Sequence, residues 1–251
     1  MANVSTKHKV GTHEEWEAAR RELREREQEL GDLDAELAKQ RSELPWVPVE
    51  KEYTFDTDEG QKTLVELFDG RSQLLIYHVM FGPSYQAACP GCTALADHFD
   101  AAVAHLIHHD ATLLAISRAP IEKLQAYKRR MGWQFPYVSS FRSDFSFDFG
   151  FAHTEEEMAT GQLAKGVEEA SPWLREWAKS VGTDLASGMA ENPGWNVFAL
   201  EDGVVYNTYS RTAPDRFLSA YYEQLLDQVP NGRGGDSWRG GAFSLLRRDE
   251  Y

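Results

Sequence analysis

The strongest constraint in this sequence is one stretch in which an apolar run leads into a Cys-Pro-Gly-Cys motif. Residues 73–81 are almost continuously apolar, which is typical of a strand buried on both faces. Cys89 and Cys92 follow, and they are the only two cysteines of the chain. Pro90 suits the first position of a helix, because its missing N–H needs no partner there. The stretch therefore predicts a buried strand, a turn and a helix that begins at the cysteine pair.

The spacing of the two cysteines favours redox chemistry. A sulfur at the start of a helix faces free backbone N–H groups and the positive end of the helix dipole, and both stabilise the thiolate. A lowered pKa makes Cys89 a good nucleophile and a good leaving group near neutral pH. Cys92 lies one turn further along the helix, where it can attack a mixed disulfide on Cys89. We therefore expect Cys89 to be the nucleophile and Cys92 the resolving thiol.

Two other uses of the cysteine pair are a metal site and a structural disulfide. A closed structural zinc site needs four Cys or His ligands, so the pair would have to recruit histidines such as His78 and His98. Cys-x-x-Cys beside a strand–helix–strand pattern favours redox chemistry over metal binding. A structural disulfide ranks lower still, because so short a loop constrains the unfolded chain little. The expectation is a site without metal and without cofactor.

Length and charge limit the partners of this chain. Its 251 residues can bury one sizeable core with additions. Lys and Arg number 26 against 40 Asp and Glu, and the net charge of −14 argues against nucleic acid or an anionic membrane as a partner. The sequence shows no apolar leader segment and no run of about eighteen apolar residues. We expect a cytoplasmic protein, in which the cysteine pair rests reduced.

The N-terminal arm, residues 1–44, is predicted to be one long charged helix that starts at Thr12 and ends near Ser42. Apolar residues recur every seven positions along it, and these are Trp16, Leu23, Leu30, Leu37 and Leu44. The stripe is narrower than the seam of a coiled coil. We expect an arm that lies across its own domain or a second subunit, so a homodimer through this arm is one expectation. A mostly solvated helix is the alternative.

The main domain is predicted to span residues 45–230, with a tail at 231–251. Its predicted elements alternate between strand and helix, which indicates a parallel crossover in an α/β fold. In order they are a strand at 73–81, a helix at 92–107, a strand at 111–117, a helix at 120–131, a strand at 133–140, a hairpin at 195–209 and a helix at 216–229. A helical insertion at about 152–193 interrupts this order and is expected to act as a lid or as a spacer.

Several strings in the chain resemble a known bacterial family. They are Leu44-Pro-Trp-Val, Asp69-Gly-Arg-Ser-Gln-Leu, Tyr77-His-Val-Met-Phe-Gly-Pro, Cys89-Pro-Gly-Cys92, Ala96-Asp-His-Phe-Asp, Ser117-Arg-Ala-Pro120, Arg130-Met-Gly-Trp133 and Asp249-Glu-Tyr251. They are similar to the family catalogued as domain of unknown function 899, described as predicted dithiol-disulfide oxidoreductases. The resemblance implies a thioredoxin-like fold, in which helices flank a central mixed sheet. It also implies a thiol–disulfide oxidoreductase with a disulfide or oxidised-thiol substrate and an external thiol reductant.

Five residues around the cysteine pair are candidates for supporting roles. His78 falls near the C-terminal end of the first buried strand, where ligands gather in open α/β sheets, and it could take a proton from the nucleophilic thiol. A hydrogen-bonded core histidine is the preferred alternative. Phe81, Tyr85, Pro90 and Arg118 are expected to line a substrate groove, although aromatic residues near a turn more often serve packing.

Two further functions compete with disulfide exchange. The motif Pro-x-x-x-Thr/Ser-x-x-Cys is typical of peroxiredoxins, and its cysteine is the thiol that reacts with peroxide. In this chain the Thr/Ser position, three residues before the cysteine, is Gln86 for Cys89 and Cys89 itself for Cys92. Because the chain lacks the Thr or Ser hydroxyl of this motif, the thiol peroxidase alternative is weaker. The other alternative is a copper- or zinc-binding thioredoxin-like protein that uses the two cysteines and His78.

Overall fold

The structure is a computed structural model that describes residues 9–212, 221–230 and 246–250. The chain divides into two compact units, the first ending at Pro45 and the second beginning at Trp46. No helix in the described ranges is both long enough and apolar enough to cross a membrane.

The first unit contains one helix, α1 (His13–Ser42). Thr12 caps it through a capping box, in which the Glu15 backbone N–H donates to Thr12 Oγ1 at 3.2 Å and the Thr12 backbone N–H donates to Glu15 Oε2 at 2.8 Å. Acidic residues in the first turn and basic residues in the last complement the helix dipole. None of the residues of α1 is buried. The predicted N-terminal helix is therefore present, with its apolar stripe exposed.

The second unit is built on one eight-stranded sheet. Its strands are β1 (Val47–Pro48), β2 (Thr54–Thr57), β3 (Gly60–Thr63), β4 (Gln73–His78), β5 (Ala111–Ser117), β6 (Tyr137–Ser139), β7 (Gly194–Glu201) and β8 (Val204–Thr212). The order across the sheet is β1-β8-β7-β4-β5-β6-β2-β3. Strands β4, β5 and β6 are parallel, and the β7–β8 hairpin pairs antiparallel with β4.

Helices connect and cover these strands. They are α2 (Pro90–Ala96), α3 (Phe99–His108), α4 (Ile121–Met131), α5 (Phe145–Asp148), α6 (Glu155–Met158), α7 (Gly161–Glu168), α8 (Pro172–Ser180), α9 (Leu185–Met189) and α10 (Tyr221–Leu226). Helices α5 to α9 lie in the connection between β6 and β7, and this connection contains the predicted insertion. A short 3-10 turn at Arg248–Glu250 belongs to the described part of the C-terminal segment.

The sheet separates two buried clusters. Side chains alternate between the two faces of a strand, so Tyr77 of β4 joins the cluster that contains both cysteines. Leu74 and Ile76 point to the opposite face and join a second cluster with Phe145. The cysteine pair therefore lies on one face of the sheet only. Of the residues of β4, only those whose side chains point to that face can contact the pair.

The predicted fold class, a thioredoxin-like α/β fold, is confirmed. Two parallel strands, β4 and β5, are joined through α2 and α3, and an antiparallel hairpin is added on the other side of β4.

Some element bounds differ from the predictions. The helix expected at 92–107 is divided between α2 and α3, because the chain turns at Asp97 and His98. The strand expected at 133–140 shortens to β6, and β1 and β3 were not predicted. The helix expected at 216–229 is seen only as α10, since residues 216–220 lie outside the described residues. Most of the predicted tail, residues 231–245 and 251, also lies outside them.

Candidate redox site

Cys89 is the N-cap residue of α2, and Pro90 occupies the first turn. The backbone of Cys89 is fixed on both sides, because its N–H donates to Met80 O at 2.9 Å and its carbonyl accepts the Thr93 N–H at 2.9 Å. The Cys89 sulfur is therefore left at the open N-terminal end of α2, where backbone N–H groups face it.

The two thiols are close together and inequivalent. Both cysteines are free, and they are 4.0 Å apart. A hydrogen bond from the Cys92 thiol lowers the pKa of Cys89 to about 7, and bonds from the Cys92 N–H, the Trp177 indole and the Gly91 N–H act in the same direction against the effect of burial. Burial raises the pKa of Cys92 well above its usual value. Cys89 is therefore the thiol of the pair that ionises first as the pH rises.

Trp177 of α8 is the residue that covers Cys89. Its indole N–H donates to Cys89 Sγ at 3.3 Å, and its ring meets the Tyr85 ring edge-on at 6.3 Å between centroids. Ser171 and Pro172 start α8 and so set which of its residues faces the cysteine. The sequence marks Trp177 only as one apolar residue of an amphipathic helix, so its role was missed.

Tyr77 of β4 contacts the other sulfur. A hydrogen bond from the Tyr77 side chain favours the thiolate of Cys92, although burial outweighs this effect on the pKa of Cys92. Burial also raises the pKa of Tyr77 well above its usual value, so its hydroxyl stays protonated and can donate. Each sulfur of the pair therefore has its own buried side-chain donor.

Arg247, from the C-terminal segment, hydrogen-bonds the backbone next to the cysteine pair. Its Nη2 donates to Ala88 O at 2.7 Å and to Ser180 O at 3.2 Å, and its Nη1 pairs with Glu250 at 3.2 Å. One side chain thus joins the residue before Cys89, the end of α8 and the C-terminal segment. The exposed fractions of Cys89 and Cys92 are only 5% and 3%.

His78 lies on the opposite face of the sheet from the cysteines. Its Nε2 is 2.8 Å from Asn196 Oδ1, and its ring stacks on Phe151 with the centroids 3.6 Å apart. Burial lowers the pKa of His78 to about 3, so the ring is neutral. Because β4 alternates its side chains, Tyr77 faces the cysteine cluster and His78 faces away from it. The expected catalytic role of His78 is therefore corrected to that of a hydrogen-bonded core histidine.

The other predicted site residues divide into two groups. Phe81, Tyr85 and Pro90 are buried in the cysteine cluster or in α2 itself, and the Tyr85 hydroxyl donates to Gly188 O at 2.7 Å. They form the wall around the pair instead of an open groove. Arg118 follows β5, and its Nη1 donates to Glu191 Oε1 at 2.8 Å.

A cavity of about 600 Å³ opens beside Arg118. Its wall includes Pro83, Phe147 and Glu191, and the Arg118 guanidinium lies over the Phe147 ring at 4.2 Å. Burial raises the pKa of Glu191 to about 7, and the nearby Arg118 charge limits this rise. None of the predicted groove residues except Arg118 lines this cavity.

The donor set of the metal alternative is not assembled. Across the described ranges, no three His, Cys, Asp or Glu side chains come together in a group that could hold a metal ion. His78 cannot complete such a group with the cysteines from the opposite face of the sheet.

Comparison with protein families gives one match across nearly the whole chain. Residues 5–251 match the family described as "Bacterial protein of unknown function (DUF899)". The chain belongs to this family. Membership agrees with the strings quoted above, including the cysteine motif, and it assigns no reaction.

Comparisons with individual proteins give remote structural likeness only. Peroxiredoxin Q of Xanthomonas campestris is 15% identical with a TM-score of 0.44, and the match covers 70% of this chain and 89% of that one. A PrxQ mutant of Xylella fastidiosa is 12% identical with a TM-score of 0.45, over 71% and 87% of the two chains. Peroxidoxin BcpB of Mycobacterium tuberculosis is 14% identical with a TM-score of 0.39, over 67% and 80%. The comparison with curated proteins finds no significant match.

Proposed function

We propose that this protein is a thiol–disulfide oxidoreductase with Cys89 as nucleophile and Cys92 as resolving thiol. The observation that carries the proposal is the asymmetric pair: Cys89 at the N-cap of α2, with its pKa lowered to about 7, 4.0 Å from a protonated Cys92. A packing role would not require a thiol with a lowered pKa beside a second thiol.

The proposed reaction has two exchange steps. The Cys89 thiolate attacks one sulfur of the substrate disulfide, the substrate S–S bond breaks, and the leaving thiolate takes a proton from solvent. Cys92 then loses its proton and attacks the Cys89 sulfur, which releases the second substrate thiol and forms the Cys89–Cys92 disulfide. An external thiol supplies two electrons and two protons to restore the dithiol.

Substrate access requires the cover to move. Because both thiols are nearly fully buried, a disulfide reaches Cys89 only after Trp177 and the C-terminal segment around Arg247 shift. Lids that close over reacting groups and open for exchange are common in enzymes. The helical insertion is therefore proposed to act as a lid.

The test is turnover of a simple disulfide, bis(2-hydroxyethyl) disulfide, with dithiothreitol as reductant. We expect Cys89→Ser to abolish turnover, and Cys92→Ser to accumulate a mixed disulfide on Cys89 that is visible in the intact mass. Circular dichroism establishes that both variants are folded. Unchanged turnover in a folded Cys89→Ser protein would refute the proposal. A parallel assay with hydrogen peroxide tests the thiol peroxidase alternative.

The proposed partners follow from this chemistry. They are a disulfide or oxidised-thiol substrate and an external thiol reductant, acting in the cytoplasm, where a dithiol rests reduced. A homodimer through α1 is also proposed, because its apolar stripe is exposed.

A further inference from the structure

The cavity beside Arg118 has a mixed wall, in which the carboxylates of Glu155 and Glu191 and the ring of His153 accompany the Arg118 guanidinium. Phe147, Met158 and Ala190 supply apolar surface, and Arg118 supplies the guanidinium. A volume of about 600 Å³ falls in the range that small-molecule sites occupy, and such sites pair apolar walls with a few oriented polar groups. The cavity is therefore large enough for a ligand the size of a small peptide.

The Arg118 guanidinium is only partly used by the protein. Within the described residues, its one hydrogen bond runs from Nη1 to Glu191 Oε1, and its side chain keeps 20% of its exposure. A guanidinium offers five N–H donors in a fork that matches a carboxylate. Donors of Arg118 thus remain for a ligand at the cavity wall.

Glu191 holds Arg118 in place at the cavity wall through a 2.8 Å ion pair. Its side chain is 6% exposed, and it fits because Gly82 has no side chain: a methyl group there would lie 2.8 Å from Glu191 Oε1. Burial raises the pKa of this carboxyl to about 7. The Arg118 N–H groups that Glu191 does not use are the donors open to an anionic ligand group.

The cavity and the cysteine pair share one edge of the sheet. The Cys89 N–H donates to Met80 O at 2.9 Å, and the Ala119 N–H, next to Arg118, donates to Phe81 O at 2.8 Å. Cys89 and Arg118 therefore flank the same two-residue segment, Met80 and Phe81. Helix α9 connects them as well, since Ala186 and Ala190 line the cavity and Gly188 between them accepts the Tyr85 hydroxyl beside Cys89.

We propose that this cavity binds a carboxylate of the disulfide substrate through Arg118, so that the substrates are small disulfides that carry carboxylates. The inference rests on the proposed function, because it places the rest of that substrate at Cys89. Ser84 of the cavity wall directly precedes Tyr85, which lies in the buried cluster that contains Cys89.

The test compares two disulfides that differ only in their carboxylates: oxidised glutathione and its ethyl ester. Glu191→Gln keeps the shape of the residue and removes the competing charge, so we expect kcat/KM for oxidised glutathione to rise several-fold while the ester is unaffected. Arg118→Gln combined with Glu191→Gln removes both charges and leaves no unpaired buried carboxylate. We expect this double variant to lose about tenfold in kcat/KM for oxidised glutathione relative to Glu191→Gln, and to keep its activity on the ester.

Thermal melting of each variant checks that the comparison is made on folded protein. Equal changes for both disulfides, or no change for either, would overturn the inference while leaving the proposed function intact. Absence of turnover for both disulfides in the unmodified protein would instead contradict the proposed function. In that case, calorimetry with S-methylglutathione, which cannot exchange disulfides, measures binding to the cavity independently of turnover. Binding that is lost without Arg118 supports the carboxylate site, and absence of binding refutes it.

Discussion

Cys89 receives hydrogen bonds from its own helix, from its partner thiol and from a helix far away in the sequence. The first two come with the Cys-x-x-Cys motif, since Gly91 and Cys92 are part of α2. The third comes from Trp177, whose N–H lies 3.3 Å from the sulfur. Each donor stabilises the thiolate more than the thiol, so each lowers the pKa of Cys89.

Trp177→Phe removes one of these donors and keeps an aromatic ring. A hydrogen bond to a charged group is worth about 1.5 kcal/mol, so we expect the pKa of Cys89 to rise from about 7 by about one unit. The thiolate forms as pH rises through the pKa, so the midpoint of Cys89 alkylation against pH should move to higher pH. The quantity to measure is the midpoint pH of Cys89 alkylation, because the alkylation rate at high pH also depends on how easily the reagent reaches Cys89.

Trp133→Phe is the matched control for that substitution. Trp133 lies in the same buried cluster, but its indole N–H donates to Asp97 Oδ1 at 2.8 Å instead of to a cysteine. We expect its loss to leave the alkylation midpoint unchanged. Equal midpoints in Trp177→Phe and the unmodified protein would show that the indole does not tune the thiol.

Among the elements, α8 and the C-terminal segment are joined next to Cys89. Arg247 connects them through the carbonyl groups of Ala88 and Ser180, and its guanidinium is buried with an exposed residue fraction of 4%. We propose that these hydrogen bonds hold α8 and the C-terminal segment closed over the N-terminal end of α2. Removing them should increase the population of the open state.

Arg247→Met keeps much of the side-chain volume and removes all the donors. We expect a several-fold faster alkylation of Cys89 by an uncharged maleimide, measured at a pH well above the alkylation midpoint, where the thiolate is fully formed. Arg175→Met is the control, because Arg175 also donates to two backbone carbonyls, those of Val167 and Glu168, within the insertion and not to the cysteine turn. An Arg247→Met rate no faster than that of the control would mean that the segment does not restrict access.

Elements with a strong local pattern could be predicted from the sequence. Strands β4 and β5 follow from continuous apolar runs, and the β7–β8 hairpin follows from the Gly-containing turn at Glu201-Asp-Gly203. The start of α2 follows from Pro90. The end of α2 was missed because the apolar pattern continues through the turn at Asp97 and His98 into α3.

The covering residues could not be predicted for a related reason. Trp177 and Cys89 are 88 positions apart, and Arg247 and Ala88 are 159 apart. A sequence pattern describes the face of one element, but it does not say which distant element will pack on that face. The error at His78 is different. The sequence correctly placed His78 at the end of β4, but side chains alternate along a strand, and that of His78 points to the face opposite the cysteines.

At the scale of the whole molecule, the two units differ in how much apolar surface they leave uncovered. The second unit buries two clusters around its sheet, whereas α1 keeps Trp16, Leu23 and Leu30 exposed by 58%, 53% and 40%. Apolar residues repeated along one helix face are typical of a surface that packs on another helix. A second copy of α1 would supply the same stripe and, with it, a symmetric interface.

We therefore expect the protein to be a homodimer in solution, and Leu23→Glu with Leu30→Glu to convert it to a monomer. Two acidic side chains on each stripe would face those of the partner, so burial of the stripe would bring like charges together without compensation. Light scattering measures the mass at matched concentrations. Ala18→Glu with Ala35→Glu adds the same charge to α1 outside the seven-residue repeat, and this control should remain dimeric. A monomeric mass for the unmodified protein, or a dimer that survives both leucine substitutions, would show that the apolar stripe of α1 is not a dimer interface.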